Sequence, residues 1–218
     1  MPHLVYKIVY NCPSMQTAQA AKPLLLVTIG PPGTGKSYFA RRFADMFKAP
    51  LVSFDEVRYE LFNDISFSDD ENIIVARVAG LQLRELLKTG KTVVIDGGHN
   101  PKVSRLELGK VAKNAGYNIL YIWTQTDEKT ARSRSTKRSS GQDDSLFNRA
   151  LTTEEFERHA KVFTPPSAYE KHVVISGRHN FPSQARIVLR KMVGPREDTS
   201  YPTEQPKPKG RDKRPISL

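Results

Sequence analysis

Between Leu24 and Val193 the chain alternates short runs that are apolar nearly throughout with longer stretches whose apolar positions recur at helical spacing. The short runs are LLLVTI (24 to 29), LVSF (51 to 54), TVVID (92 to 96), NILYIWT (118 to 124) and HVVIS (172 to 176). Rich in Val and Ile and lacking a polar face, they predict strands buried on both sides of a parallel sheet. Helical spacing covers 36 to 47, about 70 to 88, 101 to 115, 127 to 138, 152 to 163 and 183 to 193. Thr89-Gly90, Asn114-Ala115-Gly116 and Pro165-Pro166 punctuate the ends of three of these stretches. The alternation predicts a three-layer α/β fold with helices on both faces of the sheet and right-handed crossovers.

Three segments stand outside this alternation. Residues 1 to 22 hold one short apolar piece, LVYKIVY, which predicts either an added edge strand or a loose extension. Ser139 to Arg149, SSGQDDSLFNR, is polar and contains glycine, so it reads as a mobile loop, part of a lid over about 129 to 149. From Gly194 to Leu218 five prolines, Pro195, Pro202, Pro206, Pro208 and Pro215, stand among charges; such a tail buries too little apolar surface to offset the entropy of ordering it. The expected domain is 23 to 193.

A chain of 218 residues supports one well-buried core. The single Cys12 has no intramolecular partner, and no stretch approaches the roughly 20 apolar residues of a membrane span. No basic region leads into a long hydrophobic stretch at the start, as a secretory signal would require. These features describe a soluble protein of the reducing cytosol, with a monomer as the default. The formal net charge of +11 favours anionic partners, nucleotide or nucleic acid among them, although a solvated basic surface has the same composition. Two clusters carry much of it: KTARSRSTKR (Lys129 to Arg138) and KPKGRDKR near the end of the chain.

The chemistry begins where the first strand ends. Gly30, Gly35, Lys36 and Ser37 complete G-x-x-x-x-G-K-[ST], placed between a strand and a helix as that motif requires. The glycines let successive backbone N–H groups converge on a phosphate, and the helix beginning near Lys36 presents its positive end to the same anion. The cradle spans Gly30, Pro31, Pro32, Gly33, Thr34, Gly35, Lys36, Ser37 and Tyr38; because prolines lack an N–H, its donors begin at Gly33. Lys36 is expected to bridge β- and γ-phosphates, and the Ser37 hydroxyl to ligate Mg²⁺.

Three further groups follow. Asp96 ends the run TVVID in the manner of a Walker B aspartate holding Mg²⁺ opposite Ser37, or else caps the helix that starts near Pro101. Gly97 and Gly98 leave room beside it, with His99 and Asn100 at the mouth. Asp55 follows the second strand, at the sheet end where open α/β folds bind ligands, and Arg58 is three residues on. This carboxylate is a candidate general base for an attacking hydroxyl, and the same spacing fits an N-cap with an ordinary ion pair. In DEKTARSRSTKRSS, Arg134 and Arg138 share a helix face while Arg132 lies on another, which suits a lid closing over nucleotide or a solvated basic face.

Taken together, GPPGTGKS, Asp55-x-x-Arg58, Asp96 with Asn100-Pro101, and the arginine-rich lid resemble the kinase domain of bacteriophage polynucleotide 5′-hydroxyl kinase and the wider group of zeta-toxin-like and other small P-loop kinases. The resemblance covers about Leu24 to Val193. It implies a P-loop NTPase fold with a five-stranded parallel sheet in the order 2-3-1-4-5. It implies transfer of phosphate from Mg-ATP to a hydroxyl, with Asp55 as general base, Arg58 contacting acceptor or phosphate, and Arg138 at the transferred phosphate with Arg134 one turn earlier. The acceptor end departs from the phage pattern, since Asp96-Gly97-Gly98 replaces Asp-Thr-Asn, and no phosphatase domain is expected among the residues after Val193. The segment VFTPP (Val162 to Pro166) stands where related kinases carry FEPP.

Two other classes compete. GPPGTGK is also the wording of AAA-type ATPases that couple hydrolysis to mechanical or regulatory work, but there a glutamate usually follows the Walker B aspartate, and here Gly97 does. A nucleotide-dependent nucleic-acid-binding module would use the basic charge and leave Asp55 without a purpose. Deleting Gly194 to Leu218 should leave the melting temperature almost unchanged in a thermal scan, because the tail offers little apolar surface. A large drop would mean that the tail packs.

Overall fold

The computed structural model describes residues 22–137 and 149–193. The expectations for 1–21, for most of the lid including Arg138, and for the tail fall outside those residues. Five strands, β1 (Leu24–Ile29), β2 (Leu51–Ser53), β3 (Val93–Asp96), β4 (Asn118–Gln125) and β5 (His172–Ser176), form one parallel sheet in the order β2-β3-β1-β4-β5. The seven helices among the described residues are α1 (Lys36–Phe47), α2 (Phe54–Leu61), α3 (Asp69–Leu87), α4 (Lys102–Asn114), α5 (Glu128–Thr136), α6 (Thr153–Val162) and α7 (Phe181–Val193). The predicted sheet order is therefore the observed one.

Alternation along β1 builds both sides of the core. Leu25, Val27 and Ile29 face one cluster with Val75, Ala79, Leu83 and Leu87 of α3 and Leu108 and Ala112 of α4. Leu26 faces the other, with Phe39, Ala40 and Phe43 of α1 and Phe181, Ala185 and Val188 of α7. A strand covered on both faces has no use for a polar side, which is why the sequence of β1 reads as a continuous apolar run.

One element departs from the sequence reading. The run LVSF was expected to be strand through Phe54, but β2 stops at Ser53 and Phe54 opens α2, a helix absent from the predicted set. Ser53 accepts a hydrogen bond from the Glu56 N–H, and Asp55 and Glu56 sit in the first turn where acidic side chains favour a helix start. Apolar periodicity gave no warning because α2 spans only eight residues. Elsewhere predicted helix and strand limits differ from the observed ones by no more than two residues.

The register levels the carboxyl end of the sheet. Ser53 pairs with Asp96, and Asp96 with Thr28, so the connections after β2, β3 and β1 leave from one row. The P-loop, α2 and the β3–α4 connection consequently face a common space.

Phe39 packs against Phe43 and Phe181 with ring centroids 5.5 and 5.9 Å away and is 1 % exposed. Phe39→Ala should cost about 3–5 kcal/mol in denaturant-induced unfolding. Tyr169→Ala, at a fully exposed side chain, should stay within about 0.5 kcal/mol of wild type.

Candidate active site

The P-loop closes on its own carbonyl. Pro31 O accepts from Lys36 Nζ at 2.8 Å and from Thr34 Oγ1 at 2.9 Å, which draws the lysine ammonium into the loop it is expected to serve. Gly35 precedes α1 with φ +98° and no side-chain cap, so the first N–H groups of α1 are left to the loop's interior. Gly33, at φ +73°, lies directly against the Ala131 carbonyl and the Ser135 hydroxyl of α5; a side chain there would collide with that helix. The β1 end of the loop is gripped by Asn100, which accepts from Gly30 N and donates to Gly30 O, both at 3.0 Å.

Beside this cradle, Asp96 is 3 % exposed and accepts from Thr28 Oγ1 at 2.8 Å. The Gly97-Gly98 pair, both at positive φ, makes room for Phe54: its ring occupies the space a side chain at position 98 would need. His99 meets Phe54 edge-on at 5.4 Å. Burial pushes the His99 imidazole down to about 4, against a hydrogen bond with the Ser104 backbone and helped by the charge of Arg105, so the ring is neutral near pH 7. Replacing the phage-type Thr-Asn by two glycines thus gives this face an aromatic wall.

Asp55 is half-buried in the first turn of α2. Arg58, one turn on, is 7 % exposed and ion-paired with Glu71, and its Nη2 donates to Asn72 Oδ1 at 2.9 Å. Its Nε is buried without a hydrogen-bond partner among the described residues. Glu71 also accepts from Ser66 N, Ser66 Oγ and Phe67 N. Burial would raise the Glu71 carboxyl, and these donors with Arg58 hold it below the ordinary carboxylate value instead.

Phe67, a non-glycine residue at φ +54°, is the centre of this side. Arg58 and Arg149 each stack on its ring, at 4.8 and 4.7 Å from the centroid, and His159 meets it edge-on at 5.2 Å. Arg149 is held bidentately by Glu155 at 2.6 and 2.9 Å, and its backbone N–H donates to the Tyr59 hydroxyl. Burial lowers the His159 imidazole, and the charges of Arg158, Arg58 and Lys36 act in the same direction against Glu155, so this ring too is neutral near pH 7.

The arginines of α5 divide as their faces require. Arg132 turns outward to Glu128 and Glu157, whereas Arg134 Nη1 donates to Gly177 O at 2.9 Å in the β5–α7 connection, which touches Thr34 of the P-loop. Near them a cleft of about 530 Å³ is lined by Pro31, Thr34, Trp123, Asp127, Phe163, Val174 and Arg178, among others.

The structure thus brings together the P-loop residues Gly30 to Tyr38, Asp96 and α2 with Asp55 and Arg58, and sets Arg134 beside the P-loop. The sequence reading missed Phe67, Glu71, Arg149 and His159, and it named Asn100 at the mouth and in the motif with Asp96 and Pro101 without its hold on Gly30. Ser68 followed by Glu71 was a legible helix-start signature, yet nothing in it shows that the Glu71 carboxylate turns to Arg58.

A family profile described as an AAA domain matches residues 25–166. The chain belongs to this AAA domain family. No curated protein matches it closely enough to count as a relative. Among solved structures it is similar to a sugar kinase from Janibacter sp. HTCC2649, with TM-score 0.59, 14% identity, and 78% of this chain and 95% of that one covered. It is similar to the Mycobacterium tuberculosis APS kinase CysC in complex with AMPPNP and APS, with TM-score 0.56, 16% identity, and 79% and 99% covered. It also matches a chain of the Pnkp1/Rnl/Hen1 RNA repair complex, with TM-score 0.55, 23% identity, and 68% of this chain but only 46% of that one covered. These likenesses give the AAA domain chain the fold of small P-loop kinases. No described helix is long and apolar enough to cross a membrane.

Glu155 is held down to about 2, first by its hydrogen bonds from Arg149, against burial and aided by the Thr152 backbone. A carboxyl whose folded value lies below its ordinary 4.5 adds stability that is complete above about pH 4.5 and lost as pH falls toward 2. Urea unfolding of Glu155→Gln followed over this range should show a shallower acid loss than wild type.

Proposed function

We propose that this protein transfers the γ-phosphate of Mg-ATP to a hydroxyl acceptor, either a polynucleotide 5′ end or a small molecule. The observation that carries the reading is the level row Ser53, Asp96, Thr28, from which the P-loop and the Asp55-bearing helix both start at the carboxyl end of the sheet. A nucleotide cradle and a candidate base that leave the same end of the sheet suit transfer between two bound substrates. Fold neighbours named as kinases of sugars and APS, and a chain of an RNA repair complex, support the reaction class.

In this reading Lys36 leaves Pro31 O for the β- and γ-phosphates while the N–H groups from Gly33 to Tyr38 surround the β-phosphate. Asp55 accepts the proton of the attacking hydroxyl, and Arg58 orients the acceptor or the transferred group. Arg134 and Arg138 approach the phosphates from the lid. Mg²⁺ retains waters and binds few protein oxygens, so the Ser37 hydroxyl and the Asp96 carboxylate are a donor set that fits it; when bound it neutralises phosphate charge. No group of three or more His, Cys, Asp or Glu side chains that could hold a metal occurs among the described residues.

A mechanical or regulatory ATPase keeps a claim through the P-loop wording. It lacks a water-polarising carboxylate at position 97, where Gly97 makes way for Phe54. A γ-phosphate transfer screen against polynucleotides, nucleosides, sugars and nucleotide sugars separates the two readings. Kinase chemistry gives labelled product, whereas an ATPase gives acceptor-independent phosphate release.

Lys36→Ala should abolish turnover and weaken Mg-ATP binding. Asp55→Asn should lower transfer by roughly 10²-fold while Mg-ATP affinity stays near wild type, since the substitution keeps size and removes the basic oxygen. Wild-type transfer by the Asp55→Asn protein would overturn the base assignment.

A further inference from the structure

Behind the P-loop lies a buried polar chain that the proposed reaction does not use. Arg105 of α4 has a fully buried side chain, costly for a guanidinium unless each N–H finds an acceptor. Its Nε and Nη2 donate to the two Glu170 oxygens at 2.6 and 3.3 Å, its Nη1 to Asn100 O at 2.6 Å, and Nη2 also to Pro165 O at 3.4 Å. Glu170 accepts in addition from Ser167 N and Ser167 Oγ. The Tyr121 hydroxyl, rising from the sheet, donates to Arg105 O at 3.0 Å.

Two branches of this chain, from Arg105 and from the segment after α6, converge on Asn100. Its carbonyl takes the Arg105 guanidinium and also the Thr164 N–H at 3.1 Å, and its side chain grips both backbone groups of Gly30. The ladder between β1 and β3 ends at Thr28 and Asp96, so beyond it the start of the P-loop has no strand partner on that side, and a side-chain amide supplies the pairing. The segment VFTPP thereby acquires a physical role, since Thr164 N and Pro165 O fix Asn100 and Arg105 while Phe163 packs on Trp123 at 5.7 Å.

We infer that Arg105, locked by Glu170, is a positioning residue that holds Asn100 so that Asn100 fixes Gly30 and with it the shape of the phosphate cradle. The residue acts through Asn100 and touches no nucleotide itself. The arrangement ties the segment after α6 to the first glycine of the cradle.

The test reads the Gly30 amide directly. Hydrogen exchange resolved at Gly30 and at Val27, a core β1 amide that reports overall opening, is measured for the full chain carrying Asn100→Ala, Arg105→Lys, both together, and Glu170→Gln. Gly30 exchange, taken relative to Val27, should rise about tenfold or more in Asn100→Ala and in Arg105→Lys. The double variant should be no faster than Asn100→Ala alone, because both lie on one chain of contacts. Glu170→Gln, nearly isosteric and milder, should give a smaller rise in the same direction and serves if Arg105→Lys does not fold. Overturning results are Gly30 exchange that rises only in step with Val27 in both Arg105→Lys and Glu170→Gln, or single effects that multiply in the double variant. The bearing on ligand rests on the proposed phosphotransfer: ATP dissociation constants should rise about fivefold in Glu170→Gln. A wild-type chain that binds no ATP would sink the proposed function, and the Gly30 measurement would still decide this inference.

Discussion

Parallel register at the carboxyl end of the sheet is the constraint on which the rest of the structure depends. Because Ser53, Asp96 and Thr28 stand level, three connections leave the sheet together: the P-loop after β1, α2 after β2 and the Gly97-to-Pro101 turn after β3. A slip of one residue in β3 would turn Asp96 to the other face and separate it from the Thr28 hydroxyl. The apolar pairing of β1 with β3 and β4 on both faces secures the register, so hydrophobic burial sets the position of polar chemistry several residues further along.

Positive charge near the site is more committed than the composition suggests. Arg58, Arg105 and Arg149 are each neutralised by a glutamate, Glu71, Glu170 and Glu155 respectively. Lowered carboxyl values at all three follow from this pairing, with burial working against it. These arginines order the segments around the cradle: Arg58 and Arg149 clamp the loop carrying Phe67, and Arg105 holds the turn carrying Asn100. A buried pair of this kind contributes geometry more dependably than net stability, and geometry is what a phosphate cradle needs.

Gly98 marks where this chain departs from the phage kinase it resembles. Giving up a side chain there lets the Phe54 ring close over the backbone and meet His99 edge-on. The wall formed by the connections after β2 and β3 is accordingly aromatic and neutral in this part, with Phe67 and the neutral His159 on the α2–α6 side.

The sequence by itself determined the sheet, the helices longer than eight residues and the P-loop, because buried parallel strands write themselves as apolar runs and a phosphate cradle demands glycines at fixed spacing. The places of Asp55 and Asp96 at the carboxyl end of the sheet were legible for the same reason, one just after such a run and the other closing one. Only the tertiary structure decided that Glu71 turns to Arg58, that Arg149 and Arg58 share the Phe67 ring, and that Asn100 clasps Gly30 across 70 positions of chain. These contacts join residues far apart in sequence whose side chains have no periodic signature. The strand end at Ser53 differs from these in being local: apolar pattern favoured one more strand residue, and the Ser53 cap with two acidic residues after it started the helix instead.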